Sequence, residues 1–163
     1  MRSVLLTLLA TAGLAALPAA GESADLTPPE PWATINVCDT EMRQNQIGIR
    51  GSMPGMARRT RMYMRFRVQY KNAQDRWETV EQGADSGWRR IATGRRGDHD
   101  AGWTFEFQPR PSGGAWQLRG LVSFQWRRVG RVVDRDRRVT EEGHSGTAGA
   151  EPPDFSDDTC AIA

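Results

Sequence analysis

Lysine is almost missing from this chain: Lys71 stands alone beside 21 arginines in 163 residues. Histidine and cysteine are nearly as scarce, with two of each, His99, His144, Cys38 and Cys160. Ligands so few and so far apart exclude a structural zinc site, which needs four Cys or His at short spacings. They also leave few parts for a Ser–His or Cys–His nucleophile. Gly143-His144-Ser145-Gly146 comes nearest, but a nucleophile elbow needs glycine where Thr147 stands, and no strand–turn–helix pattern surrounds it. Apolar runs are short as well, and none reaches the roughly 20 residues of a membrane span. After residue 17 no helical i, i+3, i+4 pattern persists, and no internal repeat is present.

What is there begins with a leader. Met1-Arg2-Ser3 precedes the uncharged run Val4–Leu17, and Pro18, Ala19, Ala20 and Gly21 follow. That layout predicts a signal peptide over residues 1–21 and an exported, soluble mature chain. The first cysteine lies far beyond the apolar run, so no lipid anchor is expected. Residues 22–31, ESADLTPPEP, read as a flexible proline-rich lead-in. Residues 32–163 have the length of a single domain. In an oxidising compartment the pair Cys38 and Cys160 predicts a disulfide tying the two ends of that domain.

The body of the chain is a succession of short alternating runs separated by turn residues. They are Trp32–Cys38, Gln46–Gly51, Arg61–Lys71, Arg76–Gln82, Gly87–Thr93, Trp103–Pro109, Trp116–Arg128 and Arg131–Val139. RMYMRFRVQY alternates without a slip: Met62, Met64, Phe66, Val68 and Tyr70 on one side, Arg61, Tyr63, Arg65, Arg67 and Gln69 on the other. In the run from Trp116, Leu118, Val122, Phe124 and Trp126 face one way, and Leu121 alone is a large apolar residue on the other. Gly130 centres a tight hairpin. RRGDHDAG and the tail from residue 140 read as loops. The expectation is an all-β fold, a single antiparallel β-sandwich of about 7–8 strands. At least half of the six tryptophans are expected to build its core.

In architecture such a chain resembles immunoglobulin-like and fibronectin-type domains, although its cysteines sit at the first strand and the tail rather than on two facing central strands. The segments IGIRGSMPG, RMYMRFRVQY, LRGLVSFQWRR and AGAEPPDFSDDTC resemble small secreted proteins of unassigned function from high-GC bacteria. That likeness covers most of the mature chain and implies no activity. A sandwich hosts many functions, so the site must be argued separately.

Charge is the one pronounced pattern. Residues 58–138 carry 19 basic and 9 acidic side chains, whereas residues 139–163 carry 6 acidic and none basic. An acidic tail could therefore fold back on the basic middle. Arg65, Arg67, Arg119, Arg127 and Arg131 lie on or beside the clearest strands and are the candidate anion-binding residues. An arginine-rich sheet face of this kind suits anionic cell-envelope polymers, polysaccharides or another extracellular protein. Nucleic acid is disfavoured, because Tyr63 is the only aromatic interleaved with the arginines of the third run. The competing reading is a solvated face whose arginines guard edges and cover apolar neighbours with their stems. The preference for arginine over lysine fits the guanidinium fork, and fits equally a GC-rich coding sequence.

Catalysis and metals have weaker support. Asp98, Asp100, Glu106, Asp154, Asp157 and Asp158 could supply paired carboxylates for a small hydrolase, but all except Glu106 read as loop residues. Asp98-His99-Asp100 lacks calcium-loop spacing. Arg96-Gly97-Asp98 is a tripeptide that an Arg- and Gly-rich chain produces by chance. The expectation is a non-catalytic binding or structural module with no cofactor and no metal.

Overall fold

The protein's structure is a computed structural model that describes residues 29–56, 59–94, 96–110 and 113–163. The leader and most of the lead-in lie outside the described residues. Among the described residues nine strands run in chain order: β1 Trp32–Cys38, β2 Gln46–Pro54, β3 Thr60–Lys71, β4 Trp77–Thr79, β5 Arg89–Thr93, β6 Asp98–Glu106, β7 Trp116–Arg128, β8 Arg131–Val139 and β9 Thr159–Ile162. They form two antiparallel sheets, one of three strands in the order β1-β2-β6 and one of six strands. The six-stranded sheet is built on the long pair β3 and β7. Two short strands, β4 and β5, share the far edge of β3, and two others, β8 and β9, share the far edge of β7. The molecule is a β-sandwich, and among the described residues no helix is long and apolar enough to cross a membrane.

The period-two alternation of β3 is why it sits at the centre. Met62, Met64, Phe66 and Val68 are at most 1% exposed, while Arg65, Arg67 and Gln69 between them stay half-exposed. Leu118, Val122, Phe124 and Trp126 of β7 join them on the same inner face. Ala33, Ile35, Ile47, Ile49, Met53 and Phe105 close the core from the smaller sheet. Each fully buried phenylalanine here contributes about 1.5–3 kcal/mol of burial. At Gly120 there is no room for a side chain, because a Cβ there would lie 2.5 Å from Cγ2 of Thr140, which follows β8 in the same sheet, and 3.0 Å from Ile49 of the facing sheet. At the β7–β8 turn Val129 and Gly130 both have positive φ, 48° and 76°, the signature of a type I′ hairpin.

Three expectations are corrected. The run Arg76–Gln82 forms only the three-residue strand β4. Asp98-His99-Asp100 is not a loop but the start of β6, paired with Pro54, Met53 and Ser52 of β2. Alternation then sends the two carboxylates and the imidazole to opposite faces, so they do not converge, and no metal-binding cluster occurs among the described residues. A ninth strand, β9, pairs with Trp116–Arg119 of β7. Its four residues carry no pattern of their own and become a strand through that pairing.

The acidic tail does fold back: its acidic part, residues 141–157, runs against β1, while its uncharged end, β9, pairs with β7. Glu141 N–H donates to Ala33 O at 2.9 Å, Glu151 N–H to Asn36 O at 2.8 Å, and Asp157 exchanges backbone bonds with Ile35. This cover explains why Thr34 and Asn36, which point away from the core, are buried. Their side chains meet Ser156 Oγ at 2.7 Å and Ala148 O at 3.3 Å. Cys38 and Cys160 are joined by a disulfide across 122 residues, with their Cα atoms 5.5 Å apart. The bond fastens the end of the tail to the end of β1.

Candidate functional site

The outer face of the six-stranded sheet follows directly from its registers. Along β3 and β7, Arg61 stands opposite Arg127, Tyr63 opposite Gln125, Arg65 opposite Ser123, Arg67 opposite Leu121 and Gln69 opposite Arg119. Across β7 and β8, Gln125 faces Arg135, Ser123 faces Arg137 and Leu121 faces Val139. Antiparallel pairing therefore gathers Arg65, Arg67, Arg119, Arg127, Arg135 and Arg137 on one surface, with Arg61 at its end beside Arg127. Arg131 is not with them. A bulge between Trp126 and Arg127 shifts the phase of β8, so Arg131 pairs with Arg128 at the exposed hairpin end.

Of these six arginines, only Arg65 forms an ion pair among the described residues. Its Nε donates to Asp85 Oδ1 at 2.8 Å, and a second bond from Nη2 completes a bidentate pair. This contact holds the Asp85 carboxyl below its ordinary range and raises the Arg65 guanidinium. The remaining five form no ion pair among the described residues. Asp134 and Asp136, which alternate with them in sequence, belong to the opposite face of β8. Asp136 pairs with Arg138 at 2.9 Å, and Arg138 also reaches Glu30 at 3.0 Å. Both aspartates also accept the backbone N–H of the next residue, Arg135 or Arg137.

Neutral groups hold the unpaired cations in place instead. Arg119 donates to Gln69 Oε1 at 2.8 Å and lies 4.5 Å from the centre of the Trp77 ring. Arg127 donates to Gln125 Oε1 and lies 4.2 Å from the Tyr63 ring and 5.3 Å from that of Trp88. Guanidinium–ring contacts of this kind contribute about 0.5–1 kcal/mol each near the surface. Arg67 is the least satisfied. Its Nε is buried without a partner, and its Nη2 reaches only Ser123 Oγ, at 3.5 Å. Burial, followed by the charges of Arg65 and Arg137, lowers its pKa. Beside it a hollow of about 530 Å³ is lined by Trp88, Ser123, Gln125, Arg135 and Arg137, among others.

Leu121 shows that the competing structural role is also filled. It points outward yet is only 6% exposed, in register between Arg67 and Val139. Trp126 is buried, and Trp103 and Trp116 pack on the rim of the core. Trp77 and Trp88 are platforms for arginines of this face, as Trp103 is for Arg89 and Trp116 for Arg110 elsewhere. Sequence reasoning placed Gln69 among the arginines of β3 but did not single out Ser123, Gln125 or these two rings. The β3–β7–β8 register brings in Ser123 and Gln125, and Trp77 and Trp88 come with β4 and β5 at the other edge of β3.

The other sequence candidates do not assemble. His144 stacks on Trp32 at 4.1 Å and its Nε2 lies 2.9 Å from Glu141 Oε1, so its contacts are to the tail and β1. Asp157 and Asp158 spend their oxygens on or beside backbone bonds of the tail. No protein-family model matches the chain, and no curated protein matches it in sequence.

Proposed function

We propose that the protein is an exported, non-catalytic binding module that holds anionic polymers on the arginine face of its larger sheet. The observation that carries the reading is a mismatch of charge. Five neighbouring arginines, Arg67, Arg119, Arg127, Arg135 and Arg137, form no salt bridge among the described residues; Asp85, beside Arg67, is paired to Arg65, and the acidic part of the tail runs along β1. Like charges held this close raise the local potential and draw counter-ions, which a polyanion displaces with a gain in entropy. The leader-like residues 1–21, the disulfide, and the resemblance to small secreted proteins of high-GC bacteria support a location outside the cytoplasm. Uronic or sulfated polysaccharides and phosphodiester polymers of the cell envelope have the matching charge. A flat face with guanidinium forks suits repeated carboxylate, sulfate or phosphate groups.

The test is binding of the mature protein to a sulfated polysaccharide and to a polyglycerol phosphate over a series of salt concentrations. The affinity should fall linearly with the logarithm of salt. Arg67→Ala together with Arg137→Ala should lower that slope by about two, one for each lost contact. Binding that ignores salt, or a slope unchanged in the double variant, would refute the reading.

A further inference from the structure

At the end of the sandwich remote from the β7–β8 hairpin lies a cleft of about 660 Å³, bounded by the segments after β4 and β6 and by the start of β7. Three aromatic rings meet there. Tyr70 and Trp116 are 6.0 Å apart and nearly perpendicular, at 86°, and Phe107 lies 6.2 Å from Trp116 at 56°. Such edge-to-face packing leaves ring faces turned in different directions around a common space. Trp116 is fixed by its indole N–H, which donates to Gln108 O at 3.0 Å. Tyr70 is fixed by its hydroxyl, which donates to Glu78 Oε2 at 2.7 Å.

The charge of this cleft is opposite to that of the arginine face. Glu78, Glu81 and Glu106 line it, against Arg110 as the sole cation among its lining residues. Glu78 also accepts from Asn72 Nδ2 at 2.6 Å, and the bonds from Tyr70 and Asn72 keep its carboxyl ionised by lowering its pKa. The position of Arg110 is informative. Its guanidinium lies 4.8 Å from the centre of the Trp116 ring, with one long bond from Nη1 to Ala115 O at 3.4 Å. It forms no ion pair among the described residues. The chain has thus placed a weakly held cation of its own on the ring.

We infer that this end cleft is a binding site for an organic ammonium group, in which the guanidinium of Arg110 is a resident occupant that the ligand displaces. Aromatic faces attract cations through the ring quadrupole, and a surrounding of carboxylates adds long-range attraction. Alkylated ammonium ions gain most, because their weakly hydrated surface is cheap to desolvate against the rings. Val80, Ala84 and Pro109 supply apolar wall for the carbon atoms of such a ligand. The site is independent of the arginine face, and neither reading falls with the other.

Choline chloride is the probe, with its neutral isostere 3,3-dimethylbutan-1-ol and sodium chloride at equal ionic strength as controls. Binding is followed by NMR on the indole N–H resonance of Trp116, assigned with a Trp116→Phe variant. Choline should shift that resonance saturably, and the two controls should not. Arg110→Ala should tighten choline binding several-fold, about three- to tenfold, by removing the competitor. Glu81→Gln with Glu106→Gln should weaken it by a similar factor. Both variants lie at exposed positions, so the fold should hold, as circular dichroism would register. A resonance that does not saturate, equal binding of the neutral isostere, or an Arg110→Ala variant that binds no better would each overturn the inference.

Discussion

On the arginine face Arg119 lies 4.5 Å from Trp77 and Arg127 lies 4.2 Å from Tyr63; in the end cleft Arg110 lies 4.8 Å from Trp116. The contact is the same in both regions, and its surroundings are opposite. The face has more guanidinium groups than carboxylates, whereas the cleft has more carboxylates than cations. In the first region the rings support the protein's own arginines, as the proposed binding of an anion requires. In the second, one arginine occupies a place suited to something positive. A guanidinium on an aromatic ring is therefore no functional signal alone. The balance of charge around it decides which partner the surface favours.

Both regions are anchored to one element. β9 pairs with Trp116 and Arg119, one residue from each, and Cys160 fastens β9 to β1. The largest expected effect is therefore loss of the disulfide. Cys38→Ser with Cys160→Ser should cost about 4–5 kcal/mol, the chain-entropy value for so long a loop. Denaturant unfolding measures it, and binding at both regions should weaken together. A loss below about 1 kcal/mol would mean that the tail is held by its backbone bonds to β1 alone.

Asp85→Asn separates the regions. It removes the one carboxylate paired to the gathered arginines among the described residues, so polyanion binding should strengthen while choline binding is unchanged. The stability cost should be at most about 1 kcal/mol, because the Arg65–Asp85 pair is partly exposed. Its pH dependence has a definite sign. The carboxyl has a folded pKa below its ordinary value, so the pair contributes fully above the unfolded value and is lost as pH falls through the folded one. Wild type and variant should therefore differ at neutral pH and converge in acid below the usual carboxylate range. A constant difference across that range would contradict the assignment.

The smallest effect concerns Arg67. Its pKa is lowered chiefly by burial and then by Arg65 and Arg137, so the fold disfavours its charge. Arg67→Met keeps the apolar stem beside Leu121 and removes that charge. It should stabilise the protein by about 0.5 kcal/mol or less, after allowance for solvent screening. The same change should reduce the salt slope of polyanion binding by about one. A stabilised variant with an unaltered slope would assign Arg67 to packing alone.

Much of this was legible in the chain. The alternation of RMYMRFRVQY named the core side of β3 residue by residue, because a strand's period of two leaves no other way to bury Met62, Met64, Phe66 and Val68. The pair of cysteines named the disulfide, since no other partners existed. The outward side was legible as a list of arginines, but not as a surface. Arg131 belongs to that list and leaves the surface through one bulge. Arg135 and Arg137 enter it only through pairing with Gln125 and Ser123. The tail's acidity was equally plain, yet its destination was settled by backbone groups of β1 that needed partners, and those have no sequence signature.

By itself, then, the sequence determined the fold class, the inner faces of β3 and β7 and the covalent tie between the ends. These depend on hydrophobic period and cysteine number, which are local or countable. Tertiary structure alone decided which arginines share a face, which rings support them, where the acidic tail runs and that Tyr70 and Phe107 meet at Trp116, which carries Arg110. Each of these is a matter of strand register and sheet packing, which bring together residues far apart in the chain.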